Sequence, residues 1–381
     1  MMRVFEPGSV TLRSYFNSDE FDALLVEISQ ADISDIHMET NQPIWVRWHG
    51  KQMRLTNRPL TDQEIARVLN HIYGTSAASE LAKIREIHKR HNIAISSDEI
   101  YAFRFNAITS RLTTGPAVRI SLRSIPRDLP TVEDMVDLDP QVREAYIHSR
   151  GIGFVVGETG NGKSTLLAAL NRSLLLDGDS RKLLTYEDPI EFDLTPLNEI
   201  TPSSTVSQHE IGESCRSYYD GIVNSLRSAP TDIMVGEAKE RETVEAVLHS
   251  GETGHKTNAT VHAGSVRETV LRLASEFPPD QQAGIVYKIL SQVNFILVQK
   301  LVTRPGGGRR YPLREWFVFD DATRRKLLAQ SNTLSTLTML DDMVRERGQD
   351  FQSQALRAYR CGSITSDAVR VFDLSFCEEA Q

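Results

Sequence analysis

The stretch GETGNGKST, Gly157–Thr165, constrains the fold of this 381-residue chain more than any other feature. It fits the pattern G-x-x-x-x-G-K-[ST], in which glycines let the backbone curl ahead of a lysine and a hydroxyl. The apolar run GFVVG precedes the loop, and TLLAALNRSLL follows it with helical character. A strand, a glycine-rich loop and a helix in this order are the context that the pattern requires.

The chemistry of this loop is that of a phosphate site. Its backbone N–H groups point at phosphate oxygens, and the new helix adds the positive end of its dipole. Lys163 reaches the β- and γ-phosphates, and the Ser164 hydroxyl can bind Mg²⁺. A chance match is the alternative, and the flanking strand and helix argue against it. We therefore expect ATP and Mg²⁺, held by Gly157, Thr159, Gly160, Asn161, Gly162, Lys163, Ser164 and Thr165.

The chain around the loop has the pattern of an α/β domain. From Pro140 onward, helical stretches alternate with short apolar runs, namely GFVVG, KLLTYE, TDIMVGE and TNATVH. Such alternation predicts a parallel sheet with helices on both faces. RPGGGRR, Arg304–Arg310, predicts a turn or mobile loop, and the last 50 or so residues are predicted to be helical.

A smaller α+β domain is predicted ahead of this core, over Met1 to about Leu129. Its predicted elements are a helix at Phe21–Gln30, a hairpin at Pro43–Leu55 turning at His49-Gly50, a helix at Thr61–Tyr73 opened by a Thr61/Glu64 capping box, and two strands, YAFRFNAI and AVRISLRSI. The two prolines of Arg123–Met135 indicate a linker to the next domain.

Composition narrows the function classes. A chain of 381 residues favours two domains, and a net charge of -8 lowers the expectation of a broad nucleic-acid surface. The cysteines Cys215, Cys361 and Cys377 are far apart, which suits a reducing cytoplasm and argues against a structural zinc site. The sequence shows no apolar run of membrane-spanning length and no signal-peptide core, so any membrane role is expected to be peripheral.

Acidic residues end two of the predicted strands. LLTYEDPIEF supplies Glu187, Asp188 and Glu191, and TDIMVGEA supplies Glu237. Carboxylates at such strand ends face the ligand crevice of an open α/β sheet. Hydrolysis of a nucleotide needs one group that holds Mg²⁺ and one that positions water. Solvated carboxylates remain the alternative for both strand ends.

Two histidines, His255 and His262, flank the fourth predicted strand. A neutral histidine beside a γ-phosphate can sense whether that phosphate is present. The alternative is a pair of ordinary histidines around a strand.

Four motifs in this order resemble the secretion and type IV pilus ATPase superfamily, the traffic ATPases. They are the Walker A loop at 157–165, an Asp box at Tyr186–Glu191, a Walker B at Asp232–Glu237 and a His box at Thr253–His262. The resemblance extends over about residues 20–320, through Ile33–Gly50, Phe103–Ala107, Leu122–Pro126 and Gln299–Phe317.

The resemblance implies a fold and a set of roles. Residues 1–129 would form a PAS-like α+β N-terminal domain, and residues 130–381 a RecA-like P-loop ATPase core with a helical C-terminal segment. Hexameric rings would bind nucleotide between the two domains. Glu187 and Glu237 would be catalytic or water-positioning, with His262 the better-supported histidine. Arg104 and Arg123, with Arg119 as an alternative to Arg123, would stabilise charge; solvated strand arginines are the other possibility.

Two departures indicate a branch of the superfamily. The helical tail does not clearly show the signature of the PilT retraction motors, and Ala229 stands where the family often has an acidic residue. With residues 33–50, these features favour the DotB/TraJ-type ATPases of type IVB secretion and conjugation. The partners implied are further copies of the chain and membrane-embedded transfer proteins, with no direct nucleic acid. A cytoplasmic protein recruited peripherally to the inner membrane is expected, with a hinge near Pro126–Pro130.

Two other functions share parts of this pattern. A RecA-like helicase would use Lys163 and Glu237 too, but it should carry a basic channel with aromatic side chains. A nucleotide-gated scaffold with little turnover would not need an intact Lys163, Glu187 and Glu237. The ATPase rate with and without single-stranded DNA separates the three.

Overall fold

The computed structural model describes residues 8–12, 16–31, 33–48, 51–96, 99–113, 115–125, 128–148, 150–177, 179–306 and 310–376. It divides into two compact units, Met1–Asp128 and Leu129–Gln381. Outside the described residues lie the predicted hairpin turn at His49-Gly50, Pro126 of the predicted hinge, residues 307–309 of the predicted loop, and Cys377. Within the described ranges, no helix combines the length and the apolar character that crossing a membrane requires.

The N-terminal unit is a six-stranded antiparallel sheet with three helices. The order across the sheet is β3-β2-β1-β6-β5-β4, with every neighbouring pair antiparallel. Its elements are α1 (Ser18–Gln30), β1 (Ile33–Glu39), β2 (Trp45–Trp48), β3 (Lys51–Arg54), α2 (Asp62–Tyr73), α3 (Ala77–Ile84), β4 (Glu86–Ala94), β5 (Ile100–Leu112) and β6 (Gly115–Ile125).

Local sequence signals explain these elements. The Thr61 side chain accepts a hydrogen bond from the backbone N–H of Glu64, and the Glu64 carboxylate accepts one from the N–H of Thr61. This capping box satisfies two N–H groups that the first turn of α2 leaves free. The apolar stripe of α1, including Phe21 and Ile28, packs in one core with Phe103 and Phe105 of β5. The predicted helices and strands of this unit are confirmed.

The C-terminal unit is a seven-stranded sheet in the order β13-β12-β7-β11-β10-β8-β9. Its strands are β7 (Gly151–Val156), β8 (Lys182–Glu187), β9 (Thr205–Glu210), β10 (Asp232–Val235), β11 (Lys256–Val261), β12 (Val293–Val302) and β13 (Tyr311–Val318). Its helices are α4 (Pro140–His148), α5 (Lys163–Asp177), α6 (Leu197–Ile200), α7 (Tyr218–Ser225), α8 (Arg241–Glu252), α9 (Val266–Ser275), α10 (Pro279–Gln292), α11 (Asp321–Leu328), α12 (Thr333–Glu346), α13 (Phe351–Arg360) and α14 (Ser366–Arg370).

Both faces of this sheet are covered. Phe154 of β7 lies in one apolar core, and its neighbour Val155 lies in a second, because successive side chains of a strand point to opposite faces. The four predicted apolar runs are the central strands β7, β11, β10 and β8, and they pair in parallel. This part of the prediction is confirmed, as is the helical C-terminal segment.

The edges of the sheet differ from the sequence-based expectation. β13 runs antiparallel to β12, so the sheet is not wholly parallel. β9 is an edge strand with the sequence TVSQHE, and Val206 is its one buried residue. Hydrophobic patterning could not reveal β9, because a strand that pairs on one side and buries only one side chain fully carries little apolar signal.

Candidate functional site

The Walker A loop leaves the carboxyl end of β7 and enters α5 at Lys163. Gly157, Gly160 and Gly162 have φ angles of 149°, 82° and 74°, which residues other than glycine rarely adopt. A Cβ atom on Gly157 would lie 2.5 Å from the backbone oxygen of Gln299, so only glycine lets the loop run this close to β12. The loop thus has the curled backbone that a phosphate cradle requires.

The side chain of Lys163 folds back onto the loop. Its Nζ donates hydrogen bonds of 2.6 Å to the oxygen of Gly157 and 3.1 Å to that of Glu158. Burial lowers the pKa of Lys163, while the nearby carboxylates of Glu237 and Glu191 act in the opposite direction. The ammonium group therefore lies in a partly buried position on two loop carbonyls, which phosphate oxygens could replace.

Residues in or next to β12 and β13 support the Walker A loop through hydrogen bonds. Gln299 Nε2 donates to the backbone oxygen of Asn161 at 2.7 Å, and Asn161 Oδ1 accepts from the N–H of Leu301 at 3.0 Å. Gln299 Oε1 in turn accepts from Nε of the buried Arg314 at 2.8 Å. Arg310 donates to the oxygen of Gly160 at 2.9 Å. The family resemblance over Gln299–Phe317 includes this region, but no local sequence pattern marks Gln299 itself.

Glu187 and Ser164 line one small cavity. Its volume is about 40 Å³, and its other walls come from α5, β10 and the segment after β8. Glu187 Oε1 accepts from Thr185 Oγ1 at 2.6 Å and from Gln208 Nε2 at 3.0 Å. A hydroxyl and a carboxylate beside the phosphate loop are the oxygen donors that Mg²⁺ prefers. The donor set therefore fits this ion.

Glu237 follows the neighbouring strand end. Gly236 lies against β8, since a Cβ atom there would be 3.1 Å from the oxygen of Tyr186 and 3.2 Å from Cα of Glu187. His262, which follows β11, has its Nε2 3.2 Å from Glu237 Oε1. Burial, and then the charge of Lys163, lower the pKa of His262, while Glu237 opposes this shift. The structure thus brings the ends of β8, β10 and β11 to the phosphate loop.

The other histidine of the His box lies elsewhere. His255 precedes β11, whereas His262 follows it, so the six-residue strand separates them by about 20 Å. His255 Nδ1 lies 3.0 Å from Thr253 Oγ1 at the end of α8. Of the two histidines considered from the sequence, only His262 is at the phosphate loop.

Three arginines of the N-terminal unit form a row across its sheet. Arg104 of β5 lies opposite Arg90 of β4 and Arg123 of β6, which places all three on one face. Arg123 Nε lies 2.7 Å from Asp35 Oδ1, and its side chain is 55% exposed. Arg119 lies 3.6 Å from Glu39. The charge-stabilising roles of Arg104 and Arg123 stay predictions.

The chain matches the family described as "Type II/IV secretion system protein" over residues 17–332. It is 29% identical to the type IV pilus ATPase PilU of Pseudomonas aeruginosa over 91% of this chain and 86% of that protein.

Two solved structures are similar along almost the whole chain. The ATPase DotB of Legionella pneumophila has a TM-score of 0.84 and 32% identity, covering 98% of this chain and 100% of DotB. The pilus retraction motor PilT with bound ADP has a TM-score of 0.78 and 25% identity, covering 93% and 96%. These matches confirm the predicted fold class, an α+β N-terminal domain followed by a RecA-like α/β core.

Proposed function

Because the chain belongs to the type II/IV secretion system protein family, we propose that it is a hexameric motor ATPase that energises a type IVB secretion, conjugative transfer or type IV pilus machine. The relatives named above are a pilus ATPase, a pilus retraction motor and DotB. The observation that carries the proposal is the meeting of Lys163, Glu187 and Glu237 at one edge of the sheet. We propose a PAS-like α+β domain over residues 1–129 and a RecA-like ATPase core with a helical C-terminal segment over residues 130–381.

The residues divide the work of phosphoryl transfer to water. The loop N–H groups and Lys163 would bind the β- and γ-phosphates, with Lys163 exchanging its two loop carbonyls for phosphate oxygens. Ser164 and Glu187 would hold Mg²⁺, which neutralises charge on the phosphate oxygens. Glu237, with His262 beside it, would orient the attacking water and accept its proton as the bond between the γ-phosphorus and the bridging oxygen breaks. The products are ADP and phosphate.

The proposal also assigns partners and place. We infer that Arg104 and Arg123 add positive charge at the transferring phosphate, where an arginine can contribute ~10³–10⁵ in rate. Copies of the chain would form the ring, and membrane-embedded proteins of the transfer apparatus would receive the work at the inner membrane.

One experiment tests the core of this proposal. Mg-ATP turnover and sedimentation are measured for the unmodified chain, Lys163→Ala, Glu237→Gln and the control Glu240→Gln, each with and without single-stranded DNA. Glu240 is an exposed carboxylate three residues beyond Glu237. We expect a hexamer with slow, DNA-independent turnover, lost in the first two variants and kept in the control.

Two outcomes would overturn it. Strong stimulation by DNA would establish the helicase function instead. Unchanged turnover in Lys163→Ala would show that the glycine-rich loop is not the nucleotide site.

A further inference from the structure

Two histidines and one aspartate form a cluster in the N-terminal unit, which holds none of the four nucleotide motifs. Nε2 of His71 lies 2.9 Å from Asp22 Oδ2, and Nε2 of His91 lies 3.0 Å from Asp22 Oδ1. One potential ligand atom from each residue lies within 4.8 Å of the other two. Three separate elements, α1, α2 and β4, supply these side chains.

The surroundings hold the imidazoles in place. The ring of Phe21, which is fully buried, meets His71 edge-on at 6.3 Å between centroids and lies 6.1 Å from His91. The two imidazoles are themselves edge to face at 5.4 Å. The His91 side chain is 10% exposed, whereas Asp22 and His71 are 27% and 30% exposed. The cluster is therefore anchored on one side and open to solvent on the other.

The distances between the three side chains are close to those of a metal site. Zinc binds histidine nitrogen and carboxylate oxygen at about 2.0–2.2 Å, so tetrahedral geometry separates its ligand atoms by about 3.4 Å. The two observed contacts, 2.9 Å to Asp22 Oδ2 and 3.0 Å to Asp22 Oδ1, are each about 0.4 Å shorter than this separation, and the three ligand atoms lie within 4.8 Å of one another. Two imidazoles beside one carboxylate suit zinc-like ions, whereas Mg²⁺ and Ca²⁺ prefer oxygen donors alone.

We propose that Asp22, His71 and His91 bind one divalent transition-metal ion of the zinc type, with solvent completing its coordination. The site would join α1 to α2 and β4, which lie 49 and 69 residues away from Asp22 along the chain. An ion that binds only the folded unit would stabilise it in proportion to the logarithm of its concentration. The widely spaced cysteines argue against a cysteine-based zinc site, and this site uses none.

The test uses the full chain, freed of metal, in excess Mg²⁺ and without nucleotide. Zn²⁺ affinity is measured by competition with a chromophoric chelator, for the unmodified chain, His71→Gln and the control His88→Gln. His88 lies on the same strand as His91 and is 53% exposed, outside the cluster. Excess Mg²⁺ occupies oxygen sites such as the one at Ser164, so residual Zn²⁺ binding reports nitrogen-containing sites.

We expect one tightly bound Zn²⁺ per chain, unchanged in His88→Gln. The affinity for Zn²⁺ should fall by about a hundredfold or more in His71→Gln, because losing even an outer-shell partner costs about tenfold to a hundredfold. Far-UV circular dichroism checks that the variant folds. Independently of any variant, Co²⁺ bound to the unmodified chain should show the intense visible bands of a four-coordinate ion.

Equal Zn²⁺ affinity in all three proteins would overturn the proposal. So would the absence of both Zn²⁺ binding and the Co²⁺ bands in the unmodified chain. Either result would leave Asp22 as a hydrogen-bonding partner of two histidines. ATP turnover enters neither readout, so failure here is distinct from failure of the proposed ATPase function.

Discussion

Replacing Gln299 by leucine should destabilise the C-terminal unit and loosen the phosphate loop together. The side chain is 3% exposed and makes two hydrogen bonds, one to the Asn161 carbonyl and one from the Arg314 guanidinium. Leucine keeps most of the volume and loses both bonds. A neutral hydrogen bond is worth about 0.5–1.5 kcal/mol, and one to a charged group about 1.5–3 kcal/mol.

The lost bond to Arg314 accounts for the larger part of the expected cost. It is 4% exposed, and burial lowers its pKa to about 10, so its charge is already poorly solvated. Without Gln299, the guanidinium keeps the Val136 carbonyl as a partner but loses the acceptor at Nε. The free energy of unfolding should therefore fall by about 2–4 kcal/mol.

Urea unfolding gives the free energy, and hydrogen exchange by mass spectrometry localises the loss. Faster exchange should appear in peptides covering β12 and the Walker A loop, with weaker binding of a fluorescent ATP analogue. Gln281→Leu makes the same chemical change at an exposed position of α10 and should alter stability by no more than about 0.5 kcal/mol.

A second substitution separates the two bonds. Gln299→Glu keeps an acceptor for Arg314 but places a carboxylate against the Asn161 carbonyl. The affinity for nucleotide should therefore fall clearly, while the free energy of unfolding should change less. If Gln299→Leu changes stability no more than Gln281→Leu does, the support assigned to Gln299 is refuted.

Two further predictions concern the C-terminal unit. Burial raises the pKa of Glu315 to about 7, so its protonated form stabilises the fold below pH 4.5 and that stabilisation is lost as the pH rises through 7. Urea unfolding between pH 5 and 8 should show a decline of about 2–3 kcal/mol that Glu315→Gln lacks, and parallel profiles would contradict this. Gly221→Ala would place a Cβ atom 2.3 Å from the Tyr186 ring and should cost about 1–3 kcal/mol. Gly284→Ala, in α10, would place a Cβ atom with nothing within 4 Å of it and should instead raise the thermal midpoint of unfolding. If both variants shifted that midpoint equally and in the same direction, the Tyr186 ring would have to move aside at no cost.

Much of the fold could be predicted because its signals are local. Thr61 and Glu64 are three residues apart, and their capping box forms wherever that helix begins. The central strands β7 and β10 are buried on both faces, and each carries a continuous apolar stretch that stands out from its neighbours. The polar edge strand β9 has no such run and was missed.

The candidate site was predicted as residue types but not as an arrangement. Lys163 could be chosen from the glycine-rich pattern, and Glu187 and Glu237 because each ends a predicted strand; the roles of all three remain predictions. That Glu187 shares a cavity with Ser164, and that Glu237 lies beside His262, depends on the order β7-β11-β10-β8 in the sheet. Strand order depends on which surfaces pack together, and a linear pattern does not record that.

The sequence by itself determined the phosphate loop, since its glycines, lysine and hydroxyl are consecutive and a φ angle of 82° at Gly160 needs only local freedom. The tertiary structure alone decided which residues support that loop and which histidines meet at Asp22. Gln299 lies 138 residues from Asn161, and Asp22 lies 69 residues from His91. Such contacts form only when packing of the apolar cores has offset the entropy of closing long loops, so no short stretch of residues specifies them.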